Sequence, residues 1–134
     1  LSDAGAHVGL ICDGAAPTFL IKYWASQRLR GERIPLEFLV SKQTRGNALA
    51  YGMPDRGLIA AGMKADLNLI DYDALGLLRP QIVRDMPAGG KRFIQRARGY
   101  RHTFVSGVET LRDDELTGQL PGQLVRSKAA ARVV

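Results

Sequence analysis

Three side chains near the start of the chain combine the types that hydrolytic chemistry uses. Asp3, His7 and Cys12 lie in an opening stretch that also holds Gly5, Gly9, Asp13 and Gly14, a loop composition. A carboxylate among small residues, in a glycine-rich loop just before a helix, is where barrel enzymes place catalytic groups. Small neighbours let a substrate approach. Asp3 could act there as a general base on a metal-bound water and return the proton to a leaving amine. The plainer reading is a turn or capping aspartate. His7, four residues on, is the candidate substrate-binding residue. As a metal ligand it has only Asp3, a weak ligand, and Cys12 for company. One Cys and two His, His7 and His102, cannot complete a closed structural zinc site, which takes four N/S ligands. Cys12 also reads as a small buried hydrophobe, and His102, in a strand, reads as non-catalytic.

Other patterns fail. Gly89-Gly90-Lys91 has a phosphate-loop ending, but Arg92 follows the lysine where Ser or Thr is required, so a tight turn is the better account. There is no Gly-x-Ser-x-Gly. Ser2, Asp3 and His7 are too close in sequence to point at one another as a triad.

The elements that must position these residues divide at about residue 54. Residues 17–30 place Phe19, Leu20, Tyr23 and Trp24 at helical spacing, with Pro17 in the first turn and Gly31 as a stop. Pro35 opens a second helix with Leu36, Leu39 and Val40 on one side. Thr44 is the candidate N-cap of a short third helix through Ala48, Leu49 and Tyr51, ended by Gly52 and Pro54. Beyond that the period shortens. Residues 67–71, 81–85, 92–97, 101–106 and 108–111 read as strands, with Ser106-Gly107 as a hairpin turn. Residues 113–123 read as a loop and 127–134 as a frayed tail. Helices followed by strands make an α+β chain or the junction of two modules.

The 134 residues are 46% hydrophobic and 24% charged, which argues against wholesale disorder. No apolar run approaches the ~20 residues a membrane helix needs, so no membrane partner is expected. A single cysteine allows no internal disulfide and fits a reducing, cytoplasmic compartment. The net charge is +6. Its one dense cluster is Lys91, Arg92, Arg96, Arg98 and Arg101, with no acid between them. Excess charge alone speaks to solubility and nonspecific contacts, so no nucleic-acid partner is expected. The first residue is Leu1, and the chain reads as starting within a longer protein.

Several segments in order carry a resemblance. Leu1-Ser2-Asp3-Ala4-Gly5-Ala6-His7 resembles the aspartate loop of the N-acyl-D-amino-acid deacylases (D-aminoacylases) of the amidohydrolase superfamily. Pro17-Thr18-Phe19-Leu20 with Trp24 is similar to the helix that follows it. Asp55-Arg56-Gly57-Leu58-Ile59, Gly62 and Ala65-Asp66-Leu67-Asn68-Leu69-Ile70-Asp71 resemble the segment that re-enters the accessory β-sandwich. Asp85-Met86-Pro87-Ala88-Gly89-Gly90 and Thr117-Gly118-Gln119-Leu120-Pro121-Gly122 resemble the closing motifs. The resemblance covers about residues 1–127. It implies a metal-dependent (β/α)8 hydrolase barrel beside a small β-sandwich, cleaving the amide of N-acyl-D-amino acids. Zinc would activate water and Asp3 would shuttle the proton. The family's His-x-His is absent here, and Arg45-Gly46-Asn47-Ala48 departs from an Asn-Pro-Ala-like helix start. A whole barrel takes ~250 residues. The chain therefore reads as a C-terminal fragment: residues 1–54 the end of the barrel, 55–126 part of the sandwich, 127–134 the tail. Zinc belongs to the parent enzyme and none is expected in the fragment, which is expected to be inactive alone.

Two other readings compete. One is a small binding module that uses the Lys91 to Arg101 surface on an acidic partner. The other is a hydrolase assembled by oligomerisation around Asp3, His7 and Cys12. In the fragment reading, Phe19, Leu20, Tyr23, Trp24, Leu36, Leu39 and Val40 lose barrel strands and the sheet loses edge partners, so the isolated chain is expected to self-associate. Sedimentation at micromolar concentration checks this, and a compact, cooperatively folding monomer would overturn it.

Overall fold

A computed structural model describes residues 13–126. Its organising element is one long antiparallel ribbon. β1 (Leu67–Ile70), β2 (Gly76–Leu77) and β3 (Gln81–Val83) run out. β4 (Arg92–Ile94), β5 (Ala97–Arg98) and β6 (Tyr100–Val105) run back. Leu67 faces Phe104, Gly76 faces Arg98, and Val83 faces Arg92, so the same two strands pair along their whole length. β7 (Val108–Arg112) and β8 (Glu115–Leu116) widen the near end into a four-stranded sheet ordered β1-β6-β7-β8.

Short-range chemistry fixes the turns. Ser106 and Gly107 both have positive φ, 53° and 80°, the two-residue turn whose twist matches a hairpin. The sequence predicts this turn. Asp113 and Asp114 repeat it at 46° and 67°. Aspartate tolerates that region less readily than glycine, so residues 113–123 read as plain loop, yet they contain β8. The expected strand over 92–97 is broken at Gln95 and Arg96, and its return half, Ala97–Arg98, pairs with β2, which the sequence does not mark.

The ribbon bulges between β1 and β2, and the helices pack there. α1 (Ala16–Lys22) is entered by a 3-10 turn, Asp13–Ala15, and continued by a π turn, Tyr23–Gln27. It stops before Arg30. α2 (Leu36–Ser41) runs without a break through a π turn, Lys42–Gly46, into α3 (Asn47–Ala50). Two predicted helices are thus one. Thr44 is not an N-cap, because the backbone is already helical and its hydroxyl donates back to the Val40 carbonyl at 2.8 Å. The backbone enters Asn47 already helical, so no new N-terminus forms there. No described helix is long and apolar enough to cross a membrane.

The core among the described residues is Ile21, Leu39 and Leu75, flanked by Leu20, Trp24, Leu36, Ile70, Tyr72 and Tyr100. Much of the apolar face of the helices is therefore packed within the chain, while Phe19 and Val40 stay exposed. The connection from α3 back to β1 is stitched by Arg45, whose guanidinium donates to the Pro54 and Arg56 carbonyls at 2.8 and 3.0 Å.

The tightest point is Gly99. A Cβ there would lie 2.7 Å from the Leu75 Cα, and its φ is +101°. The Gly99 carbonyl accepts from the Asp71 amide, and its own amide donates to Asp114. Gly99→Ala is expected to destabilise the chain by about 1–3 kcal/mol, combining backbone strain with a clash against main chain. Gly107→Ala supplies the comparison, since its φ is also positive but nothing lies within 4 Å. Denaturant unfolding should show the larger loss at position 99; equal losses would mean the close approach is not made.

Candidate functional site

Asp3, His7 and Cys12 all lie outside the described residues. What is described is the helix that follows their loop and the way the ribbon holds it. Pro17 pre-sets φ in the first turn. Thr18 then faces inward and is buried, and its hydroxyl bonds the Tyr100 hydroxyl at 2.6 Å. One turn on, the Lys22 ammonium donates to the Tyr72 carbonyl at 2.7 Å and sits 4.7 Å from the centre of the Tyr72 ring. The Tyr72 hydroxyl returns a bond to the Ile21 carbonyl at 3.4 Å. Three polar contacts, all to the ribbon's bulge and the start of β6, hold α1 from its first turn to its last.

The other concentration of titratable groups lies across the β6–β7 hairpin. His102 Nδ1 is 2.5 Å from Glu109 Oε1. Arg112 grips the same carboxylate through Nε, at 3.1 Å, and Nη2. The Arg112 hydrogen bonds, then the His102 contact, hold the Glu109 carboxyl far below its ordinary 4.5, at about 2. Such a carboxylate is a poor proton acceptor near neutrality. The cluster joins His102 of β6 to Glu109 and Arg112 of β7. The partner of His102 escaped the sequence reading, although folding the chain at Ser106-Gly107 brings 102 and 109 together.

Carboxylates from across the ribbon also neutralise part of the basic cluster. Arg92 pairs with Asp85 at 2.6 Å, and Arg101 with Asp71 at 2.8 Å and Asp113 at 3.3 Å. These bonds push the Asp71 and Asp85 carboxyls below the usual range, chiefly through the arginine hydrogen bonds.

Among the described residues no three His, Cys, Asp or Glu side chains converge to hold a metal ion. The zinc expected for a parent enzyme therefore finds no ligand set in residues 13–126.

The comparisons with known proteins fall on the whole chain. Residues 1–111 match the model of the amidohydrolase family. An allantoinase from Solibacter usitatus is 31% identical over 121 residues, 87% of this chain and 25% of that protein. A D-aminoacylase from Alcaligenes xylosoxydans xylosoxydans is 32% identical over 96 residues, 72% of this chain and 18% of that protein. A 5-methylthioadenosine/S-adenosylhomocysteine deaminase from Pelotomaculum thermopropionicum is 38% identical over 82 residues, 54% of this chain and 19% of that protein. The chain thus spans a quarter or less of the length of these relatives. No solved structure matches significantly.

The Glu109 cluster makes a pH prediction. Its folded pKa lies below the unfolded value, so its stabilisation is complete above about 4.5 and is lost as the pH falls through about 2. NMR titration of the Glu109 carboxyl carbon should find a midpoint near 2, and Arg112→Ala should raise it toward 4.5. A wild-type midpoint at the ordinary value would mean the pair does not form in solution.

Proposed function

The chain belongs to the amidohydrolase family, and from that premise we propose that it is the C-terminal portion of a metal-dependent hydrolase of N-acyl-D-amino acids. The observation that carries the reading is the opening aspartate loop, Leu1 to His7, lying inside the matched region and followed by the closing motifs in the order seen in D-aminoacylases. The D-aminoacylase match supports it. In this reading residues 1–54 end the barrel, 55–126 contribute to its sandwich, and the location is cytoplasmic.

The reaction is hydrolysis of a linear amide. Water oxygen bonds to the acyl carbon, the C–N bond breaks, and a carboxylic acid and a D-amino acid leave. Asp3 takes a proton from the attacking water and returns it to the departing nitrogen. His7 contacts the substrate. The described residues do not fit a zinc site, so its ligands are assigned to the rest of the longer protein and no step here passes through the metal.

The test uses the longer protein that carries this chain. Supplied with an N-acyl-D-amino acid, its L enantiomer, allantoin and S-adenosylhomocysteine, it should release amine from the first; preference for any other would overturn the substrate class. Asp3→Asn should lower kcat by ~10²–10⁴-fold with metal content unchanged. Turnover near wild type would remove Asp3 from the mechanism. The 134-residue chain alone should neither retain stoichiometric zinc nor cleave the amide, and EDTA-sensitive amidase activity with one zinc per chain would overturn the fragment reading.

A further inference from the structure

The far half of the ribbon carries most of the chain's charge. Residues 76–98 hold Arg79, Arg84, Lys91, Arg92, Arg96 and Arg98 against a single carboxylate, Asp85. That is five of the chain's six net positive charges; the remainder of the chain is nearly balanced. Asp85 is taken up by Arg92, which binds both its oxygens at 2.8 and 2.6 Å. Arg79, Arg84, Lys91, Arg96 and Arg98 are all exposed and have no carboxylate partner among the described residues.

This arm is built, not slack. The Leu78 amide donates to the Arg96 carbonyl at 2.9 Å, and the Gln95 side-chain amide donates to the Leu78 carbonyl at 3.0 Å, bridging the gap between β2–β5 and β3–β4. At the tip the Gly90 amide donates to the Pro87 carbonyl. A preformed arm loses little conformational freedom on binding. It also has an apolar centre. Ile82 stands directly opposite Phe93, so both side chains lie on one face, and Ile82 is 58% exposed. Continuing that register, Arg84 and Lys91 fall on the same face toward the tip, so the apolar pair is flanked there by cations. Apolar residues beside arginine are what protein interfaces enrich.

We infer that residues 76–98 form a docking arm for a protein surface with an apolar hollow rimmed by carboxylates. The cations supply attraction and orientation, and the exposed Ile82 with Phe93 supplies the desolvated contact. A polyphosphate backbone would meet the cations but leave Ile82 without an apolar counterpart, which is why a protein surface is favoured over nucleic acid. A second copy of the same arm is excluded as the occupant by like charge.

The test measures fluorescence anisotropy of the longer protein that carries this chain with four probes: a peptide alternating Glu and Leu, poly-L-glutamate, a 20-base-pair DNA duplex and phosphatidylglycerol vesicles. The Glu/Leu peptide should bind most tightly. Its affinity should fall about tenfold for Ile82→Asn and at least tenfold for Arg84→Glu with Lys91→Glu. Both variants change exposed side chains, and unchanged thermal unfolding confirms that the fold is kept. Poly-L-glutamate binding should respond to the charge reversal and not to Ile82→Asn. Tighter binding of DNA or vesicles, indifference of the Glu/Leu peptide to Ile82→Asn, or no binding of that peptide would each overturn the proposal.

Discussion

The structure depends on two backbones crossing in contact. Gly99 and Leu75 approach so closely that no side chain fits between them. Leu75 is 2% exposed and packs with Ile21 and Leu39, one from each helix, so the bulge that carries it is also the floor on which the helices rest. Asp114 then fixes the crossing from the other side by accepting from the Gly99 and Tyr100 amides at 3.0 and 2.7 Å. That carboxylate comes from the turn after β7, so the turn that leads into β8 also braces the strand on which the helices rest.

From this crossing the ribbon serves two ends. Toward β1 and β6 it gains neighbours, and polar pairs link the strands: Asp71 with Arg101 and Glu109 with His102, while Arg112 holds Glu109 along β7 itself. Toward β3 and β4 it gains none from β7 or β8, and one carboxylate is set against six cations. Exposed ion pairs contribute little stability each, so this matching is better understood as register control. Each cross-strand pair favours one alignment of its strands, where a one-residue slip would turn every side chain to the other face.

Local signals were legible in the sequence and long-range ones were not. The α+β order, the Ser106-Gly107 turn and the apolar spacing of α1 follow from rules that act within a few residues. Thr44 misled because an N-cap and a helix-interior threonine bonding back to the preceding turn have the same sequence appearance; tertiary packing of Leu39 and Ala48 on either side keeps the helix going. β2 was invisible because Gly76–Leu77 has no strand signature of its own and is extended only by its pairing with Ala97–Arg98. The acids that neutralise Arg92 and Arg101 sit 7 and 30 residues away, so a run that reads as uniformly basic has two of its five cations matched once folded. The candidate aspartate loop rests on residue types and on resemblance, and Asp3 and His7 lie outside the described residues.

The carboxylates divide by what surrounds them, and that division bears on the chemistry. Asp71, Asp85 and Glu109 each receive an arginine hydrogen bond that lowers the carboxyl pKa. A carboxylate so held is committed as an acceptor and gives up basicity, whereas a general base works best with its pKa near the operating pH. The strand half of the chain thus spends these three acids on alignment. A proton-transfer role fits better on a carboxylate with small, uncharged neighbours; the proposed Asp3 is flanked in sequence by Ser2, Ala4, Gly5 and Ala6. The ribbon's part is mechanical. Through Tyr100 on Thr18 and Tyr72 on Lys22 it holds α1 near both of its ends.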